Sequence, residues 1–215
     1  MVIVPFRTAA DRVREADRVA QHLRLGGLIA YPTETVYGIG CLPNPKALDR
    51  LAALKGREHA RPFLLLVTGP EQAPGLDWTP VALRLADAFW PGPLTLALRA
   101  EPGRYPARVV GPDGAVAVRA SPHPAVKAIL AATGEPITST SANLPGALPA
   151  TNAAEVLRVL EAIHAPDDLW LLDGGPLPPS PPSTIVDCSA GRPRVLRSGA
   201  IEVERLRTVV EEIHG

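Results

Sequence analysis

Gly26-Gly-Leu-Ile-Ala-Tyr-Pro-Thr-Glu-Thr-Val-Tyr-Gly-Ile-Gly40 is the stretch on which the reading of the fold turns. Ahead of it, Thr8 and Asp11 stand three apart as a capping pair, and Val13, Val19, Ala20 and Leu23 recur at helical spacing. Its two leading glycines therefore end a helix. Leu28 to Tyr31 is an apolar run too short for a helix and is read as a buried strand. Pro32 then opens a polar turn, and residues 32–40 are read with that turn.

Outward from this point the chain alternates. Asn44 and Pro45 open a second helix that runs to Lys55 and stops at Gly56. Phe63 to Val67 reads as a strand. Thr79-Pro80 starts a helix that the Pro91-Gly92-Pro93 run breaks near Trp90. Leu94 to Leu98 and Ala115 to Arg119 read as strands, Pro124 to Thr133 as a helix, and Pro136 to Thr140 as a strand. A helix from Asn152 to Ile163 follows, then strands at Leu169–Leu172, Thr184–Asp187 and Arg194–Arg197, and a last helix from Ile201. Some strands follow each other with no helix between them. That predicts one α/β domain over residues 1–215, a twisted sheet of mixed parallel and antiparallel strands with helices packed on it. The proline-rich segment from Gly174 to Ser183 reads either as a lid over a site or as a stiff surface connection.

The 215 residues carry 22 basic and 22 acidic side chains, so any polyanion must meet a local basic patch rather than a basic protein. No apolar run approaches the roughly 20 residues of a membrane span. The first residues lack a basic flank followed by an apolar core, so the expected compartment is the cytoplasm. Two cysteines, Cys41 and Cys188, give no disulfide framework and no zinc spacing, and are expected to be buried free thiols. Only Lys46, Lys55 and Lys127 of the 22 basic residues are lysine, and 25 residues are proline. That bias fits a thermophile, although a GC-rich genome produces it equally.

The common nucleotide and hydrolase signatures are missing: no GxxxxGK[ST] or GxGxxG, no GxSxG, no HExxH. What the chain has instead is polar residues at strand ends, where open α/β sheets bind ligands. Lys55, Gly56 and Arg57, with Arg61 beyond, combine a point charge with planar forks, a set suited to a polyphosphate. Cations there also complement the dipole of the preceding helix, and spacing alone does not separate the two roles. Ser139, Thr140, Ser141 and Asn143 crowd hydroxyls and an amide behind one strand, as a phosphate or carboxylate site or as a capped turn. Thr33 and Thr35 stand just outside another. Arg119 ends a third and could clamp a carboxylate, Ser183 opens a fourth and Arg197 closes a fifth.

In this order GGLIAYPTETVYGIG, LKGR, FWPGPLTL, AVAVR with His123-Pro124, TSAN, STIVD and VLRSGAI resemble the YrdC-like threonylcarbamoyl-AMP synthases over about residues 26–200. The resemblance implies a concave, positively lined cavity. It also implies the reaction of ATP, L-threonine and bicarbonate to threonylcarbamoyl-AMP and pyrophosphate, with Mg²⁺ accompanying ATP and no organic cofactor. The product would pass to separate tRNA threonylcarbamoyl-transfer proteins, and members are described as binding double-stranded RNA. A competing reading is an RNA-binding translation or ribosome maturation factor without its own catalysis. Carried over position by position, the resemblance implies that Lys55, Arg57, Arg61, Ser141, Asn143 and Arg197 serve ATP, with Lys55 and Arg57 catalytic. It implies that Thr33, Thr35, Arg119, Ser139 and Ser183 surround threonine, and that no protein side chain holds the metal. The chain is similar to the short form that lacks an additional C-terminal domain. It departs from the family pattern at four places: Glu58 follows K-x-R where proline is usual, Phe63 replaces a common leucine, Leu66 stands where longer members carry a threonine-contacting histidine, and Ser121 replaces a proline before His123.

Overall fold

The computed structural model describes residues 1–56 and 62–214. Arg57 and Arg61, two of the cations singled out above, lie outside the described residues. In chain order the strands are β1 (Val2–Pro5), β2 (Ile29–Pro32), β3 (Tyr37–Gly40), β4 (Leu64–Leu66), β5 (Leu94–Arg99), β6 (Ala115–Arg119), β7 (Ile137–Ser141), β8 (Trp170–Asp173), β9 (Thr184–Asp187) and β10 (Arg194–Arg197). The helices are α1 (Ala9–Arg24), α2 (Pro45–Leu54), α3 (Pro80–Phe89), α4 (Pro124–Thr133), α5 (Ala153–Ala162) and α6 (Val203–Arg207). The strands form one sheet in the order β1-β8-β2-β3-β7-β4-β6-β5-β9-β10, with parallel and antiparallel pairs mixed as expected.

Local chemistry sets the helix starts. Thr8 and Asp11 close a capping box on α1, while the side chains of Asn44, Thr79 and Asn152 cap α2, α3 and α5. Pro45 and Pro80 stand in the first turn, where a missing N–H costs nothing.

Two strands were not expected from sequence. The β3 segment Tyr-Gly-Ile-Gly falls in the stretch read as a polar turn after Pro32. Its glycines are required by close approach to β7. A Cβ at Gly40 would fall 1.8 Å from the Thr138 carbonyl oxygen, and one at Gly38 would fall 2.8 Å from Ser139 Oγ. The other, β1, is a four-residue edge strand whose pairing with β8 spans most of the chain.

The two faces of the sheet are covered unequally. Leu65, Val118, Ala30, Ile39, Leu96 and Val186 belong to a large core that also takes in buried residues of α2, α3, α5 and α6. On the opposite face Tyr31, Ile29, Leu66 and Ile137 form a smaller core with Val19 and Leu23 of α1 and Val126, Ile129 and Leu130 of α4. Strand parity then decides which polar side chains share that second face. Leu66 pairs with Arg119 and Ile137, Leu64 pairs with Ser139, and Gly38 pairs with both Tyr31 and Ser141. Ala97 pairs with Ala117, so Thr95 faces the same way as Arg119; Thr95 pairs with Ile185, as does Arg197. Two helices cover only part of this face, and the polar strand-end residues occupy the rest.

No helix among the described residues is long and apolar enough to cross a membrane. Both cysteines are buried free thiols, and burial raises them, Cys41 to about 11 and Cys188 to about 12.

Candidate functional site

The first cluster gathers around Arg119. This guanidinium is almost fully buried, at 4% exposure, although it ends a strand. Its Nη1 lies 3.5 Å from Thr35 Oγ1 and 3.5 Å from Glu34 Oε1, both loose contacts. Thr35 is held by the turn between β2 and β3. Thr33 Oγ1 donates to the Val36 carbonyl at 2.7 Å, accepts from the Val36 and Thr35 amides, and meets Thr35 Oγ1 at 3.1 Å. That turn also presents Glu34, whose Oε2 accepts a hydrogen bond from the Ser121 hydroxyl. Ser121 Oγ in turn accepts from the His123 amide at the start of α4. Two buried polar atoms here have no hydrogen-bond partner among the described residues: Arg119 Nε and Glu34 Oε1.

Beside Arg119 stands the β9–β10 end of the sheet. Arg197 donates from Nε and Nη2 to the Ser183 carbonyl, at 3.0 and 2.8 Å, and from Nη2 to Ser183 Oγ at 2.9 Å. Ser183 Oγ also meets Thr95 Oγ1 at 2.9 Å. Burial, and after it the positive charge of Arg119, hold the Arg197 guanidinium below its ordinary value. The two arginines share one face of the sheet. On the other side, the Tyr31 hydroxyl donates to the Thr138 carbonyl at 2.8 Å; burial raises it, opposed by nearby Ser139 and by the Arg119 charge. Tyr31, Ser139 and Arg119 therefore share one neighbourhood, and Ser139 Oγ lies directly over Gly38.

A second cluster forms where α2 meets the end of β7. Lys55 caps α2 and donates from Nζ to the main-chain carbonyls of Ser141 at 3.1 Å and Asn143 at 2.8 Å. Ser141 Oγ donates to Asn143 Oδ1 at 2.5 Å, and Asn143 Nδ2 donates to the carbonyls of Leu144 and Ala147. Ser139 and Ser141, two apart on β7, point to the same face and join the clusters along one strand.

The structure thus sets Arg119, Ser139 and Arg197 on the second face of the sheet, with Thr33 and Thr35 on the adjoining β2–β3 turn and Ser183 against Arg197, while Lys55, from the helix that packs on the first face, reaches the main chain of Ser141 and Asn143 at the end of β7. Arg197, grouped in sequence with the nucleotide residues, is bonded to Ser183. Glu34, Ser121, Tyr31 and Thr95 were not assigned to the site from sequence. The signal for Ser121 was its departure from the expected proline; Glu34 was visible only as an acid between two threonines.

The family model Sua5_yciO_yrdC, described as telomere recombination, matches residues 21–199. A Chromohalobacter salexigens protein named threonylcarbamoyl-AMP synthase is 43% identical over 192 residues, covering 86% of this chain and 97% of that protein. A Bacillus subtilis protein of the same name is 34% identical over 200 residues, covering 92% of this chain but 57% of the relative. The solved structure of P. abyssi Sua5 complexed with L-threonine matches all of this chain and 63% of its own, with a TM-score of 0.89 at 30% identity. The chain therefore spans about three fifths of two of these relatives and nearly all of the third. The family match runs through both polar clusters and the sheet that carries them, and the chain belongs to the Sua5/YciO/YrdC family.

Proposed function

We propose that this protein makes threonylcarbamoyl-AMP and pyrophosphate from ATP, L-threonine and bicarbonate, and that it is a nucleotidyltransferase in supply of tRNA modification. The observation that best supports this reading is that β7 joins the two clusters: Ser139 faces the Arg119 side of the sheet, and two residues on the Ser141 main chain receives Lys55. Two curated relatives named threonylcarbamoyl-AMP synthase and a related structure complexed with L-threonine point the same way.

In this reading Arg119 takes the threonine carboxylate, with Thr33, Thr35, Ser139 and Ser183 around the substrate. Arg119 Nε is a buried donor without an acceptor, and a carboxylate oxygen would satisfy it. Lys55, Ser141, Asn143 and Arg197, with Arg57 and Arg61, serve ATP, which arrives with its own Mg²⁺. In this reading phosphate oxygens and water supply the magnesium ligands.

The chemistry asks little covalent work of the protein. The threonine amine adds to bicarbonate carbon with loss of water, giving a carbamate. A carbamate oxygen then attacks the α-phosphorus of ATP, and the bond from that phosphorus to the pyrophosphate oxygen breaks. Positioning and neutralisation of charge carry the rate, and lysine, arginine and hydroxyls supply both. Transfer of the product to separate tRNA threonylcarbamoyl-transfer proteins belongs to the same proposal.

The test is pyrophosphate release from ATP with threonine and bicarbonate present together, and mass-spectrometric detection of threonylcarbamoyl-AMP. Release that ignores threonine, or ATP turnover without the carbamoyl product, would overturn the reading.

A further inference from the structure

Two buried polar atoms of opposite kind flank one loose contact. Arg119 Nη1 and Glu34 Oε1 approach only to 3.5 Å. Next to Nη1 on the same planar fork, Arg119 Nε is a donor without an acceptor, and Glu34 Oε1 is an acceptor without a donor, both among the described residues. An ion pair that merely tied the end of β6 to the β2–β3 turn would close to hydrogen-bonding distance and satisfy these atoms with each other.

Anchors on either side keep the two groups in place. The Ser121 hydroxyl, just past the end of β6, donates to Glu34 Oε2 and accepts from the His123 amide at 3.2 Å. Ser121 and Arg119 are each only 4% exposed. The turn that carries Glu34 is held by Thr33 Oγ1 through its bonds to Val36 and Thr35. With Oε2 tied to Ser121, Oε1 stands beside the guanidinium with nothing to accept. A buried donor and a buried acceptor left unmet are both costly. A ligand that meets them together brings an anionic acceptor and a cationic donor on neighbouring atoms. An α-amino acid does this, because its carboxylate and ammonium hang on a single carbon. A plain carboxylic acid satisfies Arg119, leaves Oε1 unmet and brings its own negative charge up to that of Glu34, which is discrimination by unfavourable contact.

We infer that Glu34 receives the α-amino group of the substrate: Oε1 accepts from the ammonium while Arg119 takes the carboxylate of the same molecule, so the pair selects an α-amino acid over other small carboxylates. Glu34 is a specificity-determining residue. The carbamate nitrogen of the proposed reaction retains one N–H, so the contact can persist once the amine has reacted. The inference deepens the proposed function and rests on it for the identity of the amino acid as threonine.

The experiment is calorimetric titration of the full chain, at fixed pH and ionic strength, with L-threonine, L-serine and (R)-3-hydroxybutanoate, which is threonine without its amine. The unmodified chain is expected to bind threonine about a hundredfold more tightly than 3-hydroxybutanoate. Glu34→Gln keeps the size and polarity of the side chain and removes its charge. Threonine affinity should fall about tenfold and 3-hydroxybutanoate affinity rise a few-fold, so that most of the gap closes. Arg119→Ala weakens both ligands. Thermal melts follow folding, and Ser121→Ala, which loosens Glu34 without removing its charge, narrows the same gap by less and carries the test if Glu34→Gln does not fold. Equal weakening of both ligands in Glu34→Gln overturns the inference, because a contact that only positions Arg119 acts on every carboxylate alike. An unchanged gap also overturns it and leaves the proposed function standing. Serine binding that weakens in Glu34→Gln, in a chain that never binds threonine, keeps the amino-group site and overturns the threonine reading.

Discussion

Around Arg119 side chains are tied to one another as well as to the main chain; around Lys55 side chains mostly hold the main chain. Arg119, Glu34, Ser121, Thr35 and Ser183 are mostly buried, and contacts between functional groups link them. Lys55, Ser141 and Asn143 are partly exposed, and four hydrogen bonds donated by Lys55 and Asn143 end on carbonyl oxygens of residues 141–147. The first arrangement fixes charge in a low-dielectric setting, where small displacements matter and unmet donors are costly. The second shapes a loop so that main-chain and side-chain groups can follow a flexible, highly charged ligand. A small rigid substrate suits the first and a triphosphate the second, which is how the proposed function divides them.

The sharpest way to break the comparison is Arg119→Ala. It removes the buried fork and leaves Glu34 without its cation. The threonine KM is expected to rise about a hundredfold or more, while the ATP KM stays within a few-fold. Stability should fall by about 3 kcal/mol, because an unpaired charge remains at a poorly solvated position. Steady-state kinetics in each substrate, with a denaturant melt, give both numbers. Equal rises in both KM values would mean the two ends are not separate.

The reciprocal change is Lys55→Ala. The ATP KM is expected to rise about tenfold with the threonine KM nearly unchanged, and stability to fall by about 1 kcal/mol through the lost carbonyl contacts. A melting-temperature drop with normal ATP dependence would leave Lys55 a helix cap and nothing more. Arg57→Ala, outside the described residues, is expected to behave as Lys55→Ala does, and the same pair of measurements decides it.

The two ends also differed in how far they could be read from sequence. Lys55, Ser141 and Asn143 lie in segments dense with polar residues after a predicted helix or strand, and their joining needed only that those segments meet. Arg119, Ser183 and Arg197 were noticed for the same reason, as polar groups closing apolar runs. Capping chemistry at Thr8, Asn44, Thr79 and Asn152 gave the starts of four helices, since caps are local. The β3 strand was hidden because its glycines answer to β7, about a hundred residues away, rather than to their neighbours. Glu34 was hidden for a similar reason: nothing near it in sequence says that Ser121 and Arg119 will reach it. Parity along the strands, available only once the pairing is known, turned scattered hydroxyls and arginines into one face.

A smaller effect tests whether the proline-rich segment 174–183 belongs to the site as a moving part. Its supposed hinge is fastened. Tyr37 Oη accepts from the Gly174 amide at 3.1 Å and donates to the Gly175 carbonyl at 2.7 Å. Further on, the Leu177 amide donates to the Thr151 carbonyl, and the Pro182 carbonyl accepts from Ala200, close against Gly199. What is left unfastened is the stretch of residues 178–181, while Ser183 stays fixed beside Thr95 and Arg197. Tyr37→Phe removes both hinge bonds and keeps the ring in the core. It should cost about 1–2 kcal/mol and raise the rate of limited proteolysis within 174–183 several-fold. Its effect on the threonine KM should be slight, because Ser183 has its own anchors. The pH dependence carries the same sign. Burial pushes the Tyr37 hydroxyl from its ordinary 10 up to about 12, so its contribution is complete below pH 10 and is lost as pH rises to about 12. A melt series across that window should show a smaller loss in Tyr37→Phe than in the unmodified chain, since Tyr31, Cys41 and Cys188, which burial also raises, titrate in both. Unchanged cleavage in Tyr37→Phe would mean that the prolines alone hold the segment, and that the tyrosine bonds merely follow a conformation already set by the ring-locked backbone.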